Sequence, residues 1–257
     1  MKKKVIFMGG RSLAARCLKL LLKDKRVEVV GVVTRKEDER LWYGKEPVLR
    51  LVKKHNLKTI SEKDVLNMDV DLGFSILHWN ILTRDVIGRF KEGIINLHPA
   101  PLPRYRGCWT YQRAIINGDK EFAMTLHYID EGVDSGDVIK VEWFKITPEM
   151  AVKDVYNEAL KAGYRLFKEM LPCIIDGSVR SVMQKELVSK GERMHFSLAK
   201  AYGNKEVDLN WPPEKLYNFV RAMDFPVNSV TYKYEPAYMI VNGRKIYLTV
   251  TPVKTFA

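Results

Sequence analysis

INLHPAPLPRYRG, residues 95–107, is the stretch from which the fold can be read. The run before and into it, 93–98 (GIINLH), is an apolar strand candidate in which Asn96 and His98 stand two apart. Side chains two apart on a strand leave on the same face, so a carboxamide and an imidazole are presented together. A neutral imidazole takes or gives a proton near pH 7, and a carboxamide can donate to an oxygen that is gaining negative charge. Pro99, Pro101 and Pro103 follow, with Arg104, Arg106 and a closing Gly107. Proline fixes φ and removes an amide donor, so this exit is stiff and cannot extend the sheet. A rigid exit holds the polar pair in place.

Upstream, residues 4–8 (KVIFM), 27–33 (VEVVGVV) and 70–77 (VDLGFSIL) are further strand candidates, mostly the continuous apolar runs of buried parallel strands. Between them lie helical segments. Leu13, Cys17 and Leu21 share a helical face after Ser12, a candidate cap. Residues 46–55 start near Pro47, and a further segment spans 83–90. This alternation predicts an α/β, Rossmann-like unit with a mainly parallel sheet, helices on both faces and ligands at the carboxyl ends of the strands. Downstream, 122–129 and 137–145 read as two strands around a glycine-containing loop. Thr147-Pro148-Glu149 predicts the start of a long helix with Val152, Val155, Ala159, Ala162, Leu166 and Met170 on one face, ending near Asp176-Gly177. A small β-rich unit follows, with a helix at 213–222 and a hairpin of 238–241 and 245–250 around Asn242-Gly243. The expected division is a catalytic domain at 1–178 and a small C-terminal domain at 179–257.

The 257 residues, 46% of them hydrophobic, suffice for one large domain or a medium one with an appendage. The net charge of +12 points to an anionic partner. The basic residues are dispersed with no basic tail, which favours a phosphorylated small molecule over a long nucleic acid. Cys17, Cys108 and Cys173 have no CxxC spacing, so neither a disulfide framework nor a structural zinc is expected, and Cys108 has no activating cluster beside it. The opening MKKKVIFMGG has too short an apolar run for a signal peptide, and no run approaches a membrane span. A cytoplasmic protein with no membrane partner is expected. GGRS at 9–12 is not a full GxGxxG, which argues against a nicotinamide cofactor. His55 and His195 read as surface residues, and His127 as packing beside the site.

The pattern N-L-H-P-x-P-L-P-x-Y-R-G, then Gln112-Arg113, Asn117-Gly118-Asp119 and Asp130-Glu131-Gly132-Val133-Asp134-Ser135-Gly136-Asp137, resembles the folate-dependent formyltransferases. The resemblance covers about residues 1–180, with 95–137 as its specific part. It implies a Rossmann-like formyltransferase domain, N10-formyltetrahydrofolate as formyl donor, no metal, and an Asn/His/Asp catalytic set that maps onto Asn96, His98 and Asp134. In that set Asn96 donates to the developing oxyanion, His98 manages a proton, and Asp134 orients His98. The family's donor pocket maps onto 77–82 (LHWNIL), hence Leu77, His78, Trp79 and Ile81, faced by the 129–134 loop with Asp130 and Gly132. Trp79 either leans on the pterin or fills core.

The tail, with Asn210-Trp211-Pro212, Asn218-Phe219-Val220-Arg221-Ala222, Phe225-Pro226 and YMIVNGRKIYL, resembles in order the tails of nucleotide-sugar N-formyltransferases. That likeness implies a nucleotide-linked amino sugar as acceptor, of the dTDP-3- or dTDP-4-amino-dideoxyhexose kind, for surface polysaccharide biosynthesis, with no nucleic-acid partner and a homodimeric enzyme. Candidate substrate residues are Arg11 and Ser12 after the glycines, the loop pair Trp42 and Tyr43, Tyr105 and Arg106 beside the motif, and Arg221 and Phe225 in the tail. Each has a purely structural alternative: a solvated helix start, a loop anchor or a loop closure. Two other functions stay open, a methionyl-tRNA formyltransferase-like enzyme and a catalytically idle binding module of the same fold.

Overall fold

The computed structural model describes residues 1–35, 47–187, 196–197, 204–224 and 236–250. Lys3–Met8 (β1), Val27–Val33 (β2), Leu72–Ile76 (β3) and Ile94–His98 (β4) form a parallel array. After β4 the proline segment leaves the sheet and runs to the two-residue strand Arg106–Gly107 (β5). The chain then adds Glu121–Tyr128 (β6) and Val138–Lys145 (β7), both antiparallel to their neighbours. The six-stranded order is β2-β1-β3-β4-β6-β7. The expected α/β class with a mainly parallel sheet is therefore observed.

Alternation along the strands divides the core. Val5, Phe7, Phe74, Ile76, Ile95 and Leu97 face one layer, where Ser12–Lys23 (α1) and the long helix Val152–Asp176 (α5) pack. Ile6, Met8, Val33 and Ile94 face the other, covered by Val65 and Val86. Val65 lies in a 3-10 turn over Lys63–Asn67, and Val86 in Arg84–Ile87 (α3). Val48–Lys54 (α2) and Thr110–Ile116 (α4) complete the first unit. Asn96 and His98 continue the row begun by Ile94, so the second face turns polar where β4 ends. At the end of β1, Gly9 has φ +148°, and a β-carbon there would lie 2.5 Å from the carbonyl oxygen of Ile76. Only glycine lets β1 and β3 approach so closely at the edge where the site forms.

The long helix starts later than Thr147-Pro148-Glu149 suggests. Its first residue is Val152, and the Asp154 carboxylate accepts from the Ala151 amide at 3.0 Å. This back-bond satisfies one amide at the helix start and fixes the entry. Ser12 lies inside α1 as its first residue rather than capping it; Arg11 occupies the cap position without a side-chain bond. The other end of α5 is as expected, with Gly177 in the left-handed region (φ +70°).

The tail contains Gln184–Leu187 (α6), Phe196–Ser197 (β8), Pro213–Met223 (α7), and a hairpin of Tyr238–Val241 (β9) and Arg244–Tyr247 (β10). The hairpin turns on Asn242 and Gly243, both at positive φ as a two-residue turn of the I′ type requires. The second strand is shorter than the expected 245–250. The tail is not packed as a separate body. Ala222 of α7 joins the main core, while Val207, Phe219, Val220, Met223 and Ala237 form a small core of their own. β8 pairs in parallel with β5, and Val182 pairs with Val138 through bonds of 2.9 and 2.8 Å. Among the described residues, no helix is long and apolar enough to cross a membrane.

Candidate active site

Three strands set the centre of the site. Ser75 on β3 stands opposite Asn96 on β4, and Asn96 opposite His127 on β6. Ser75 Oγ donates to Asn96 Oδ1 at 2.8 Å; Asn96 Nδ2 lies 3.0 Å from His127 Nε2; His127 Nδ1 lies 2.7 Å from the Tyr128 carbonyl oxygen. The carbonyl oxygen can only accept, so His127 Nδ1 carries a proton. A neutral ring then accepts at Nε2, which requires the amide nitrogen of Asn96 to face it. The direction of every bond in the row follows from its last acceptor. One proton of the Asn96 amide nitrogen is committed to His127, and the second is left for a ligand.

His127 is 1% exposed. Burial first, and the neighbouring His98 second, push its pKa down from 6.5 to about 4, against the opposing pull of the Asp134 carboxylate. Asp134 Oδ1 lies 3.7 Å from His127 Nε2, and Asp134 Oδ2 lies 3.5 Å from His98 Nδ1. His98 donates from Nε2 to the Tyr105 carbonyl oxygen at 3.0 Å. Its Nδ1 is therefore the nitrogen left to exchange a proton, and it faces the carboxylate. Asp134 Oδ2 also accepts from the Gly107 amide at 2.8 Å. An amide, an imidazole and a carboxylate thus converge where β4 ends.

The proline exit is held as well as stiff. Thr125, opposite His98 on β6, accepts from the Leu102 amide at 3.2 Å and donates to the Ala100 carbonyl oxygen at 2.6 Å. Thr110 donates to the Pro99 carbonyl oxygen at 2.6 Å. These bonds occupy backbone groups that have no ladder partner.

The site opens into a cavity of about 490 Å³, within the size range of small-molecule sites. Asn96, His98 and Asp134 line it, as do Leu77, His78, Trp79, Ile81, Asp130, Gly132 and Arg11. Trp79 is 44% exposed and Ile81 is also exposed, so Trp79 does not fill core; the Arg11 guanidinium lies 4.4 Å from its ring centroid. His78 directs Nε2 to Glu62 at 2.8 Å. Asp130 Oδ1 accepts from the Gly132 amide at 3.1 Å and from Ser135 at 2.6 Å, closing its loop. Gln112 also lines the cavity and is buried.

Other expected residues do not come to the cavity wall. Ser12 is buried in the first turn of α1. The Tyr105 hydroxyl donates to Asp119 at 2.7 Å and accepts from Asn117 at 2.9 Å; burial and Asp119 push its pKa up to about 12. Only its backbone carbonyl serves the site. Arg106 bonds Gln184 through Nε at 2.9 Å and Nη2 at 2.6 Å. Arg221 is 3% exposed, with bonds to the carbonyl oxygens of Thr147 (3.1 Å) and Met150 (2.8 Å) and to Asn218 (2.8 Å). It pins α7 to the loop before α5, away from the cavity, where donors for those carbonyls are needed. For Tyr105, Arg106 and Arg221 the side chains serve loop closure and docking. Trp42, Tyr43 and Phe225 lie outside the described residues. The Cys108 thiol lines the cavity and is exposed, and partial burial and Asp134 push its pKa up, away from an activated thiolate. Among the described residues, no group of three or more His, Cys, Asp or Glu side chains is arranged to hold a metal ion.

Ser75, His127 and Gln184 are the residues that sequence reasoning left without a functional role. A signal for Ser75 exists: a lone hydroxyl in LGFSI, on the alternate set with Gly73. His127 falls on the Asn96 row only once the β4–β6 register is known.

The low pKa of His127 makes folding stability depend on pH. Between about 4 and 6.5 the unfolded chain binds a proton that the folded one refuses. Stability is therefore full above pH 6.5 and is lost as pH falls towards 4. Urea unfolding at pH 7 and pH 5 is expected to show a loss of about 2 kcal/mol attributable to this ring, absent in His127→Asn. The same pH dependence in both proteins would overturn the buried neutral imidazole.

The formyl transferase family model matches residues 2–171. A methionyl-tRNA formyltransferase of Bdellovibrio bacteriovorus is 29% identical over 260 residues, spanning 96% of this chain and 78% of its own. Among solved structures, an N-formyltransferase from Helicobacter canadensis, in complex with folinic acid and dTDP-3-aminofucose, overlays with a TM-score of 0.78 at 24% identity, covering 96% of this chain and 86% of that one. A 4-N formyltransferase from Francisella tularensis overlays at 0.76 and 21% identity, covering 96% and 97%. At these identities the overlays establish a shared fold along nearly the whole chain, tail included. Together with the family match over residues 2–171, they place the result plainly: the chain belongs to the formyl transferase family.

Proposed function

We propose that this enzyme transfers the formyl group of N10-formyltetrahydrofolate to the amine of a nucleotide-linked amino sugar. The observation that carries formyl transfer is the Asn96 amide with one uncommitted proton, beside a His98 Nδ1 that faces Asp134 at 3.5 Å. The cavity fits the donor: exposed Trp79 and Ile81 with Leu77 offer flat apolar surface, and the polar groups converge at one end. Leu77, Trp79 and Ile81 would hold the pterin side, with Asp130 and Gly132 opposite. When bound, formyl-folate supplies an electrophilic carbonyl carbon. Asn96 donates its second amide proton to the oxygen that becomes negative. His98 Nδ1 takes the proton released by the attacking amine and returns it to the departing nitrogen. Asp134 stabilises the imidazolium between those two events, and the Gly107 amide keeps its carboxylate in place.

Support for a sugar acceptor is of two kinds. The Helicobacter canadensis N-formyltransferase that overlays nearly the whole chain is in complex with dTDP-3-aminofucose. Within this chain, the cavity-lining Gln112 and the Arg11–Trp79 pair suit a small polar ligand with an anionic group. An aminoacyl-tRNA acceptor is the second reading; the 29% identity to a methionyl-tRNA formyltransferase favours it. A homodimer of a cytoplasmic enzyme is part of the proposal, supported by the exposed Ile240, Val241, Ile246 and Tyr247 of the tail hairpin. Sedimentation as a monomer at micromolar concentration would remove that part.

Turnover with N10-formyltetrahydrofolate is expected with dTDP-3-aminofucose or its 4-amino relatives, with mild dependence on salt. Transfer to methionyl-tRNA alone, falling steeply between 50 and 200 mM salt, would decide for the second reading. Asn96→Ala is expected to lower kcat by about 10²–10³-fold with the fold intact. Near-normal turnover of a folded Asn96→Ala would exclude the oxyanion role.

A further inference from the structure

The geometry points to Gln184 as a positioning residue that sets the catalytic carboxylate by clamping its loop to the exit of the His98 strand. Gln184 is 3% exposed and opens α6, fifty residues after Asp134. An amide side chain offers two donor protons and two acceptor lone pairs, and here all four are used. Oε1 accepts from Arg106 Nε at 2.9 Å and Nη2 at 2.6 Å; Nε2 donates to the carbonyl oxygens of Asp134 and Gly136, both at 2.8 Å. One buried side chain therefore ties together the motif after β4, the loop bearing Asp134, and the chain after α5.

Those two tied segments are the two halves of a single contact. Gly107, next to Arg106, donates its amide to Asp134 Oδ2, the oxygen that lies 3.5 Å from His98 Nδ1. Fixing Arg106 fixes the donor, and fixing the Asp134 carbonyl fixes the acceptor. The loop needs such a hold. Asp134 sits at φ +50°, in the left-handed region that a residue with a β-carbon occupies only at some cost. Two residues on, Gly136 presses so close to β6 that a β-carbon would meet the Tyr128 carbonyl oxygen at 2.0 Å. A strained backbone persists only where its surroundings over-determine it. The Val138–Val182 pairing lies two residues before Gln184, so the amide is delivered by a segment anchored beside it. Gln184 is not part of the cavity wall. It acts on the reaction only through Asp134, and the inference rests on the role of Asp134 in the proposed function.

Gln184→Met keeps volume and removes all four bonds. Gln184→Glu keeps an acceptor for Arg106 and loses both donors to the loop. Each is to be compared with Asp134→Asn and with the double variants, in formyl transfer from N10-formyltetrahydrofolate to dTDP-3-aminofucose or to methionyl-tRNA, whichever turns over. Both Gln184 variants are expected to lose about 10–100-fold in kcat with KM for donor and acceptor changed less than about threefold, and to lose little further in the Asp134→Asn background. Ring 15N NMR of histidine-labelled protein needs no acceptor. In it, the His98 Nδ1 signal is expected to move in Gln184→Met in the same direction as in Asp134→Asn. An unchanged His98 signal, an unchanged kcat in a folded variant, or an equal further loss in the Asp134→Asn background would overturn the proposal. A crippled Asp134→Asn beside fully active Gln184 variants removes this inference alone. A fully active Asp134→Asn removes the reading of the site and this inference with it.

Discussion

The row of side chains across β3, β4 and β6 is the constraint on which the rest of the site depends. Ser75, Asn96 and His127 face one another because three strands pair in one register. A slip by one residue would turn all three to the opposite face. The apolar layers prevent that slip. Phe74, Ile76, Ile95 and Leu97 are buried against α1 and α5, and Ile94 against α3 and its neighbours. Moving them into the polar row would cost several buried apolar side chains at about 1.5–3 kcal/mol each. The geometry of the polar row is thus a by-product of core packing.

Loops do the rest, and each is held from outside. The proline exit is bonded to Thr125 and Thr110, the Asp130 loop closes on its own carboxylate, and the Asp134 loop is bonded to the motif and to the tail. Such loops carry unpaired backbone groups that must find partners. In this chain many of the partners are single polar side chains from distant parts of the sequence. That explains why the tail cannot be treated as an addition to a finished catalytic unit. Residues 182–184 pair with β7 and clamp the loop that bears the carboxylate, and Arg221 satisfies two carbonyls ahead of α5.

What was legible in the sequence follows the same division. Strands and the long helix were visible because burial imposes a period on residue types, as in KVIFM or the Val152–Leu166 face. Asn96 and His98 were visible because polar residues two apart at a strand end contradict that period. Ser75 and His127 were less visible: their roles depend on which strands are neighbours and in what register, and β4–β6 pairing joins residues some thirty apart. Arg221 and Arg106 are hard to read for a related reason. A charged side chain reads as a ligand for an anion, yet in both cases its partners are neutral oxygens: two loop carbonyls for Arg221 and the Gln184 amide for Arg106. Local composition cannot distinguish a guanidinium aimed at a phosphate from one aimed at the chain's own oxygens. The start of α5 was misplaced because Thr147-Pro148 is a credible cap by residue type, while the bond that fixes the start is the Asp154 carboxylate reaching back to Ala151.

The two imidazoles are electrostatically linked. Their rings lie 6.1 Å apart, nearly perpendicular, and share one carboxylate. Two cations at that distance in a largely buried site would repel strongly. Burial and the neighbouring His98 keep His127 neutral. Hydrogen bonding enforces the same choice. A proton on His127 Nε2 would point at the Asn96 amide nitrogen, itself a donor, and would drive the amide to turn over. Turned, Asn96 would offer its nitrogen to Ser75 and its oxygen to His127, and the direction of the whole row would reverse. The Asn96 amide nitrogen faces His127 only while that ring is uncharged. In the proposed function, the ring that burial keeps neutral is therefore what aims the oxyanion donor.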